Sequence, residues 1–304
     1  MMNDRYVMRN FIAKNKKWFG YILFCIIITV GFLYYRFPSD ALRDYLQTTA
    51  NNLNNSVTLS IDQVKPLLPF GIKLVNSELF LKGKPSRKLF RSDILNIKSS
   101  PWSFFKEISK YCFKCLSYGG DITGCVYFKS STKTPFDTEI ELRDIHIAEH
   151  EHLKDFIGRE IDGILSAIIF YKGEHKNLIG GTGEAHVTLA EGKIALLVPV
   201  LGIESIEFDE IKSNMALKKQ TINLKHVELK GPLLKSTLSG TIRLKNEFTK
   251  STLNLKGTIE PYASFFKDMK DISNTMSFFK QRMKEGALPF IIYGTIEEPK
   301  VRLT

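Results

Sequence analysis

The segment TINLKHVELKGPLLKSTLSGTIRL, residues 221–244, alternates apolar and polar side chains along most of its length. Alternation with a period of two is typical of strands that have one face against a core and the other in water. Similar segments, rich in β-branched and aromatic residues, occur at 89–97, 122–128, 136–147, 161–171 and 253–259. Short strands with few helices between them predict a mainly β fold built as an extended antiparallel sheet.

A Gly-Thr-Ile signature recurs in the second half of the chain, at residues 240–242, 257–259 and 294–296. Each of these glycines falls on the apolar side of its strand. Glycine inside a strand weakens the pairing locally and often marks a bulge or a bend. We therefore expect an elongated sheet that curves and leaves room on its concave side.

The N-terminal segment WFGYILFCIIITVGFLYY, residues 18–35, contains no charged residue. As a helix it would rise about 27 Å, close to the roughly 30 Å thickness of the hydrocarbon layer of a bilayer. Aromatic residues stand at both ends, where their rings favour the membrane interface. The basic residues that precede it, against Asp4, predict a cytoplasmic tail at 1–17, a membrane anchor at 18–35 and an exported, β-rich domain at 36–304. Those basic residues are Arg5, Arg9, Lys14, Lys16 and Lys17.

Two other interpretations of this segment are open. A cleaved signal peptide has a shorter apolar region and a cleavage site of small residues, whereas this segment ends in GFLYYRFP. A buried core helix of a globular domain is the second alternative, although the run from Ile26 to Val30 leaves no polar face. The length of the apolar stretch favours the anchor.

Two amphipathic helices are predicted in the exported part. The first covers about 39–53, where Ser39 is a suitable N-cap and apolar residues recur at helical spacing. The second covers about 262–285 and ends at Gly286. Its apolar stripe could face lipid or a partner, or could pack on the sheet. The stripe consists of Phe265, Met269, Ile272, Met276, Phe279 and Met283.

The chain has a formal net charge of +11, and its lysines are scattered along the strand-like segments. Such a distribution favours solvated strand faces, drawn to anionic lipid headgroups, over a groove for nucleic acid. An exported protein would in any case rarely meet nucleic acid. We expect membrane lipid as a partner and no nucleic acid, and the oligomeric state stays open.

Three of the four cysteines, Cys112, Cys115 and Cys125, lie in YCFKCLSYGGDITGC. In an oxidising compartment we expect a disulfide that joins Cys125 to either Cys112 or Cys115. A zinc half-site and redox-active thiols are alternatives, but no fourth zinc ligand follows at close spacing. Cys25, within the apolar segment, is interpreted as a small apolar residue.

No motif of catalysis is evident, so we expect neither an enzyme nor a cofactor or metal site. The histidines of HIAEHEH, residues 146–152, lack the spacing of a zinc protease motif and are interpreted as a solvated loop leading into a helix. The glycine-rich segment 179–183 lacks the Lys-Ser/Thr of a phosphate-binding loop and is interpreted as a turn.

Five segments carry a resemblance to a known family: RFPSDALRDYLQTTANN, YCFKCLSYGGDITGCVYF, TPFDTEIELRDI, VELKGPLLKSTLSGTIRLK and GTIEEPKVRLT. They resemble the type II secretion system protein N family (GspN) in its deltaproteobacterial form. The β-rich periplasmic region of that family is similar to AsmA/TamB-like proteins, whose sheets form a hydrophobic groove linked to lipid movement. The resemblance implies a single-pass inner-membrane component of a secretion machine, with other secretion components as partners and no catalytic residues.

Two functions follow as expectations. The first is a non-enzymatic accessory component of type II secretion, acting in the periplasm in export across the outer membrane. The second is an AsmA-like protein that binds or transfers lipid. It requires an open groove lined by Leu, Ile, Val and Phe with no polar residue along its floor.

Overall fold

A computed structural model of the protein has a mainly β fold, in agreement with the sequence: its strands form one 14-stranded sheet. All neighbouring strands are antiparallel, and they follow one another in the sheet in their order along the chain. The structure describes residues 16–53, 57–81, 84–100, 108–129, 135–150, 153–154, 160–174, 177–200, 203–266, 283 and 286–304.

Two helices precede the sheet, α1 (Lys16–Tyr35) and α2 (Ser39–Leu53). The side chains of Lys16 and Leu33 in α1 lie outside the described part of the chain. The strands are β1 (Val57–Leu67), β2 (Gly71–Leu81), β3 (Lys84–Ser99), β4 (Ile108–Ser117), β5 (Gly120–Lys129), β6 (Pro135–His146), β7 (Ile161–Glu174), β8 (Asn177–Val200), β9 (Ile203–Lys218), β10 (Thr221–Lys230), β11 (Leu234–Arg243), β12 (Thr252–Pro261), β13 (Leu288–Thr295) and β14 (Pro299–Leu303). Short 3-10 turns lie at Ile147–Glu149, Phe248–Lys250 and Ala263–Phe266.

Two-residue turns fix the register of two of the hairpins. Tyr118 and Gly119, with φ angles of 50° and 72°, join β4 to β5. Lys219 and Gln220, with φ angles of 49° and 60°, join β9 to β10. Positive φ at both central positions is the requirement of a type I′ turn, whose twist matches that of the flanking strands.

Helix α2 begins and ends where the sequence predicts, and it packs on the first strands of the sheet. Its Leu42 and Leu46, together with Phe37, contact a buried cluster of Ile61, Val64 and Leu74. This contact explains the helical spacing of apolar residues in the segment, because only one face of the helix meets the sheet.

The polar side of α2 covers the open edge of β1. The Arg43 Nη1 donates to the Asp62 carbonyl at 3.4 Å, and the Gln47 Nε2 donates to the Ile61 carbonyl at 3.4 Å. Eight residues beyond Arg43, the Asn51 Oδ1 accepts from the Leu59 backbone N–H at 2.8 Å. The helix therefore satisfies backbone groups that would otherwise be available for pairing with another chain.

A second buried cluster lies at the other end of the sheet. It is formed by Leu234, Phe265 and Leu288, and Met283 packs against it. The helix predicted over about 262–285 falls mostly on residues 267–282, which lie outside the described residues.

Glycines shape the sheet as expected at some positions and differently at others. Gly240 has a φ of +139° and stands opposite Leu224, where β10 carries a bulge before Val227. Gly257 has no such bulge at its position. Instead, a Cβ atom at Gly257 would lie 2.8 Å from the ring of its cross-strand partner Phe290.

The turn predicted at residues 179–183 is wrong, because these residues lie inside β8. Gly183 pairs with Tyr171 of β7 on one side and with Leu217 of β9 on the other. Backbone pairing on both sides outweighs the low strand propensity of glycine. Within the histidine-rich segment, Ile147–Glu149 form a 3-10 turn, and residues 151–152 lie outside the described part.

Across the described residues, no helix combines the length and the apolar character needed to cross a membrane.

Candidate apolar binding surface

One row of side chains runs across the whole sheet without a polar member. Cross-strand partners point to the same face of a sheet, so the register identifies the residues that share a face. This central row, one residue for each of the 14 strands, consists of Pro66, Ile72, Ile97, Phe113, Gly124, Ile140, Ile169, Ala185, Met215, Leu224, Gly240, Leu255, Ile292 and Val301.

A second row on the same face is almost as apolar, and Ser213 carries its one hydroxyl group. This adjacent row consists of Val64, Leu74, Leu95, Cys115, Ile122, Leu142, Ala167, Val187, Ser213, Val227, Leu238, Gly257, Phe290 and Leu303. We call the face that bears these two rows the inner face. Apart from Ser213, these two rows consist of the apolar residues and glycines that an apolar groove requires.

The opposite, outer face is mostly polar. One of its rows, from β3 to β14, consists of Lys98, Cys112, Cys125, Glu139, Phe170, Glu184, Ala216, Asn223, Thr241, Asn254, Tyr293 and Lys300. Exposed ion pairs lie on this face, among them Lys172 with Asp137 at 3.1 Å. The scattered lysines of the sequence therefore belong to a solvated face, as expected.

Burial along the inner face is uneven. At the α2 end, Val64 is 1% exposed and Leu74 is 4% exposed. At the other end, Leu288 is 3% exposed. The central-row residues are half-buried from β1 to β9, at the α2 end as well as in the middle, and in the adjacent row only the small Ala167 is buried between β5 and β9. The central row therefore stays partly accessible to an apolar ligand across these strands.

Two aromatic rings lie over glycines on the neighbouring strand. A Cβ atom at Gly124 would lie 2.8 Å from the Phe113 ring, and one at Gly192 would lie 2.6 Å from the Phe208 ring. Each glycine is the direct cross-strand partner of that aromatic residue. A side chain at either glycine would therefore collide with the ring of its cross-strand partner.

No family model, no curated protein and no solved structure matches this chain. The resemblance to the secretion family consequently rests on the segments quoted above, and the site is interpreted from its own geometry.

The structure resolves the pairing that the sequence left open. Cys112 and Cys125 form a disulfide, with their Cα atoms 4.0 Å apart. They are direct partners of β4 and β5 on the outer face. Cys115 lies on the inner face, three residues along β4, and therefore cannot reach Cys125.

Cys115 is a buried free thiol, 2% exposed. Its Sγ donates to the Ser92 Oγ at 3.0 Å, and Ser92 in turn donates to the Leu116 carbonyl at 3.2 Å. Burial raises the pKa of the Cys115 thiol, and the hydrogen bond with Ser92 opposes that rise. A thiol that is buried and kept protonated is a poor nucleophile.

The residues predicted to face lipid or a partner are only partly described. Phe265 is 6% exposed and contacts Leu234 and Leu288, and Met283 packs against the same cluster. The remaining members, Met269, Ile272, Met276 and Phe279, lie outside the described residues. Their contact with lipid or a partner stays a prediction.

Within the part of the chain that the structure describes, no three His, Cys, Asp or Glu side chains come together as a metal site. Of the histidine-rich segment, His150 places its Nε2 3.0 Å from the Leu89 carbonyl and its ring against Tyr118, with 5.1 Å between ring centroids. These contacts hold the segment after β6 against β3 and against the turn between β4 and β5.

Sequence reasoning missed the central row and the long pair β8 and β9. The row becomes visible only when the register is known, because its members are scattered through the chain. One signal for the register was present: Tyr118-Gly119 as a two-residue turn places Ser117 opposite Gly120 and hence Cys112 opposite Cys125.

Proposed function

We propose that this protein is a membrane-anchored, exported and non-enzymatic protein whose inner face binds the acyl chains of membrane lipids. The central row carries this proposal, because it spans all 14 strands without a polar side chain and is half-buried in its middle. Moving an acyl chain through water costs about 0.8 kcal/mol for each CH₂ group. A continuous apolar floor removes that cost by keeping the chain out of water along the sheet.

Membrane anchoring by α1 is part of the proposal. Support comes from the uncharged stretch 18–35 and from large apolar side chains that are exposed along the helix, such as Phe24 at 61% and Ile27 at 61%. The proposed topology places residues 1–17 in the cytoplasm and the sheet in the periplasm, with α1 in the inner membrane. The Cys112–Cys125 disulfide supports it, since structural disulfides persist in oxidising compartments.

Two neighbouring isoleucines of β7 allow a matched test. Ile169 belongs to the central row, whereas Ile168 lies on the outer face and is 41% exposed. The full chain, purified in mild detergent, should carry phospholipid detectable by native mass spectrometry. Ile169→Asn should lower the bound fraction several-fold because it places an amide on the apolar floor, and Ile168→Asn should leave it unchanged.

A photo-crosslinking residue at position 169 gives a second measurement. It should capture lipid in membranes, and the same residue at position 168 should not. If the crosslinker at 169 captures only another segment of this chain, the face is filled by the protein itself and lipid binding is excluded. Equal loss of lipid in both asparagine variants would point to unfolding, which thermal unfolding curves of the two variants would detect.

Orientation has its own test. A reporter enzyme fused after residue 60 should be active only if it is periplasmic. A reporter that is inactive because it lies in the cytoplasm would overturn the exported topology. The apolar face would then have no access to periplasmic lipid.

A second proposal is an accessory role in type II secretion, supported by the resemblance of the five quoted segments to the protein N family. In this role the outer face or the ends of the sheet would bind other secretion components. Deletion of the gene should then impair release of a secreted protein while the lipid balance of the outer membrane stays normal. The reverse result, altered lipid with normal secretion, would favour the lipid proposal.

A further inference from the structure

The turn between β1 and β2 exposes two large apolar side chains. Leu68 is 57% exposed and Phe70 is 53% exposed, with Pro69 between them. The Phe70 carbonyl accepts from the Ser99 backbone N–H at 2.9 Å, so the turn is joined to the end of β3. By contrast, the two-residue turns at 118–119 and 219–220 present no aliphatic side chain to solvent.

Three lysines of the outer face lie on β1, β2 and β3, close to this turn. Lys65 and Lys73 are direct cross-strand partners, and Lys98 stands opposite Gly71. A Cβ atom at Gly71 would lie 3.3 Å from the Lys98 Cγ, so the lysine stem lies across the glycine beside Phe70. Two like charges facing each other across a strand pair repel, which an anionic partner would relieve.

The turn lies at the same end of β1 as the end of α1. Along α2, the partners of Arg43, Gln47 and Asn51 descend along β1 from Asp62 to Leu59. The chain that precedes Arg43, back to Phe37, therefore lies beside the part of β1 that leads towards Leu67. The helical part of this stretch, from Arg43 to Ser39, covers about 6 Å, equivalent to about two strand residues.

We propose that the turn Leu68–Phe70 is a second membrane contact, which inserts beside the anchor into the interface of an anionic bilayer. This inference rests on the proposed membrane anchor. Apolar side chains at the tip with lysines behind them match the layering of acyl chains and anionic headgroups. The contact brings Pro66, Ile72 and Ile97, the first members of the central row, to the membrane surface, where lipid would enter.

The test places a single tryptophan at chosen depths. Native Trp18 and Trp102 are replaced by phenylalanine in the full chain, and Phe70→Trp is introduced. The protein is reconstituted in vesicles of phosphatidylcholine and phosphatidylglycerol that carry brominated acyl chains. We expect bromine to quench the fluorescence of the tryptophan introduced at position 70 at least twofold.

The matched control is Phe248→Trp in the same background. Phe248 is 62% exposed in the connection between β11 and β12, ten strands from the turn, which is about 48 Å across the sheet. Its fluorescence should not be quenched. Equal quenching at positions 70 and 248, or none at 70, would overturn a contact local to the anchor.

Failure of the anchor is distinguishable from failure of the turn. Phe24→Trp, placed in the middle of α1, should be quenched strongly if α1 spans the bilayer. No quenching at 24 would reject the proposed anchor. Quenching at 24 without quenching at 70 would reject the membrane contact of the turn alone.

The role of the lysines in binding anionic headgroups is tested by substitution and by changing the lipid composition. Replacing Lys65, Lys73 and Lys98 by glutamine should reduce the inserted-to-free ratio of the turn by roughly fivefold for each lysine that contacts the headgroups. Omitting phosphatidylglycerol from the vesicles should lower the same ratio in the protein that keeps all three lysines. Quenching at position 70 that is insensitive to both changes would remove anionic lipid from the proposal.

Discussion

Leu74 and Leu142 occupy the same row of the inner face, yet their surroundings differ. Leu74 is 4% exposed beneath α2, whereas Leu142, on β6, is only half-buried. The alternating pattern of the sequence is the same around both residues. The difference shows that strand pairing decides which face a side chain shares, while a second layer decides whether that side chain becomes core.

The largest effect is expected from Leu74→Ala, which should lower the free energy of unfolding by about 2–5 kcal/mol because it leaves a cavity between α2 and the sheet. Leu142→Ala should cost about 1 kcal/mol, since the neighbouring solvent or ligand can fill the space. Urea unfolding of both variants of the full chain in detergent measures the contrast. Equal losses would mean that the middle of the inner face is covered as tightly as the α2 end.

The disulfide should contribute the next largest effect. It closes a loop between residues 13 apart in two adjacent strands, and its loss should cost about 2–4 kcal/mol. Unfolding of the protein with and without reductant, and of Cys125→Ser, measures this contribution. Cys115→Ala should leave the response to reductant unchanged, because Cys115 does not take part in the disulfide. A response that disappears in Cys115→Ala would contradict the pairing.

Cys115 is a buried member of the adjacent row between two half-buried neighbours, Leu95 on β3 and Ile122 on β5. Burial raises the pKa of its thiol above the ordinary value of about 9. The unfolded state therefore loses the proton first, so the stability that the protonated thiol contributes is present below about pH 9 and is lost as the pH rises through the folded pKa.

Unfolding free energies at pH 8, 9 and 10 should accordingly fall more steeply in the native protein than in Cys115→Ala. The same thiol should resist a maleimide reagent until the protein unfolds. Rapid labelling of Cys115 in the folded protein would show that this position is open to solvent.

The smallest effect is expected on the outer face, which serves as the reference for the inner one. Lys235 lies 3.1 Å from Glu228, and its hydrogen bond holds the pKa of the Glu228 carboxyl below the ordinary value of about 4.5. Lys235→Met should let that pKa rise, as a carbon-13 NMR titration would show. Stability from this pair is present above the ordinary pKa and is lost as the pH falls, and its removal should leave the melting temperature nearly unchanged.

Period-two alternation was sufficient to predict the mainly β fold and most strands, and the capping pattern was sufficient to predict α2. These features are local, so a single sequence contains them. The turn predicted at 179–183 is wrong because its glycines favour a turn in isolation, whereas pairing with β7 and β9 holds the segment in a strand.

The candidate site was predictable only as a general property. Apolar faces could be assigned strand by strand, but the central row depends on the register of every hairpin and on bulges such as that between Leu224 and Val227. One residue of slip would exchange the two faces of a strand. The exposure of the turn at Leu68–Phe70 could likewise not be predicted from the sequence, because exposure is a property of the folded chain.

The order of the strands has a consequence for how the protein folds. Every strand pairs only with the strands immediately before and after it in the chain. Contacts between residues close in sequence lower the contact order and cost little loop-closure entropy. The sheet can therefore grow one hairpin at a time as the chain emerges, each new strand pairing with the one before it, and α2 can pack on β1 and β2 once these two strands have formed.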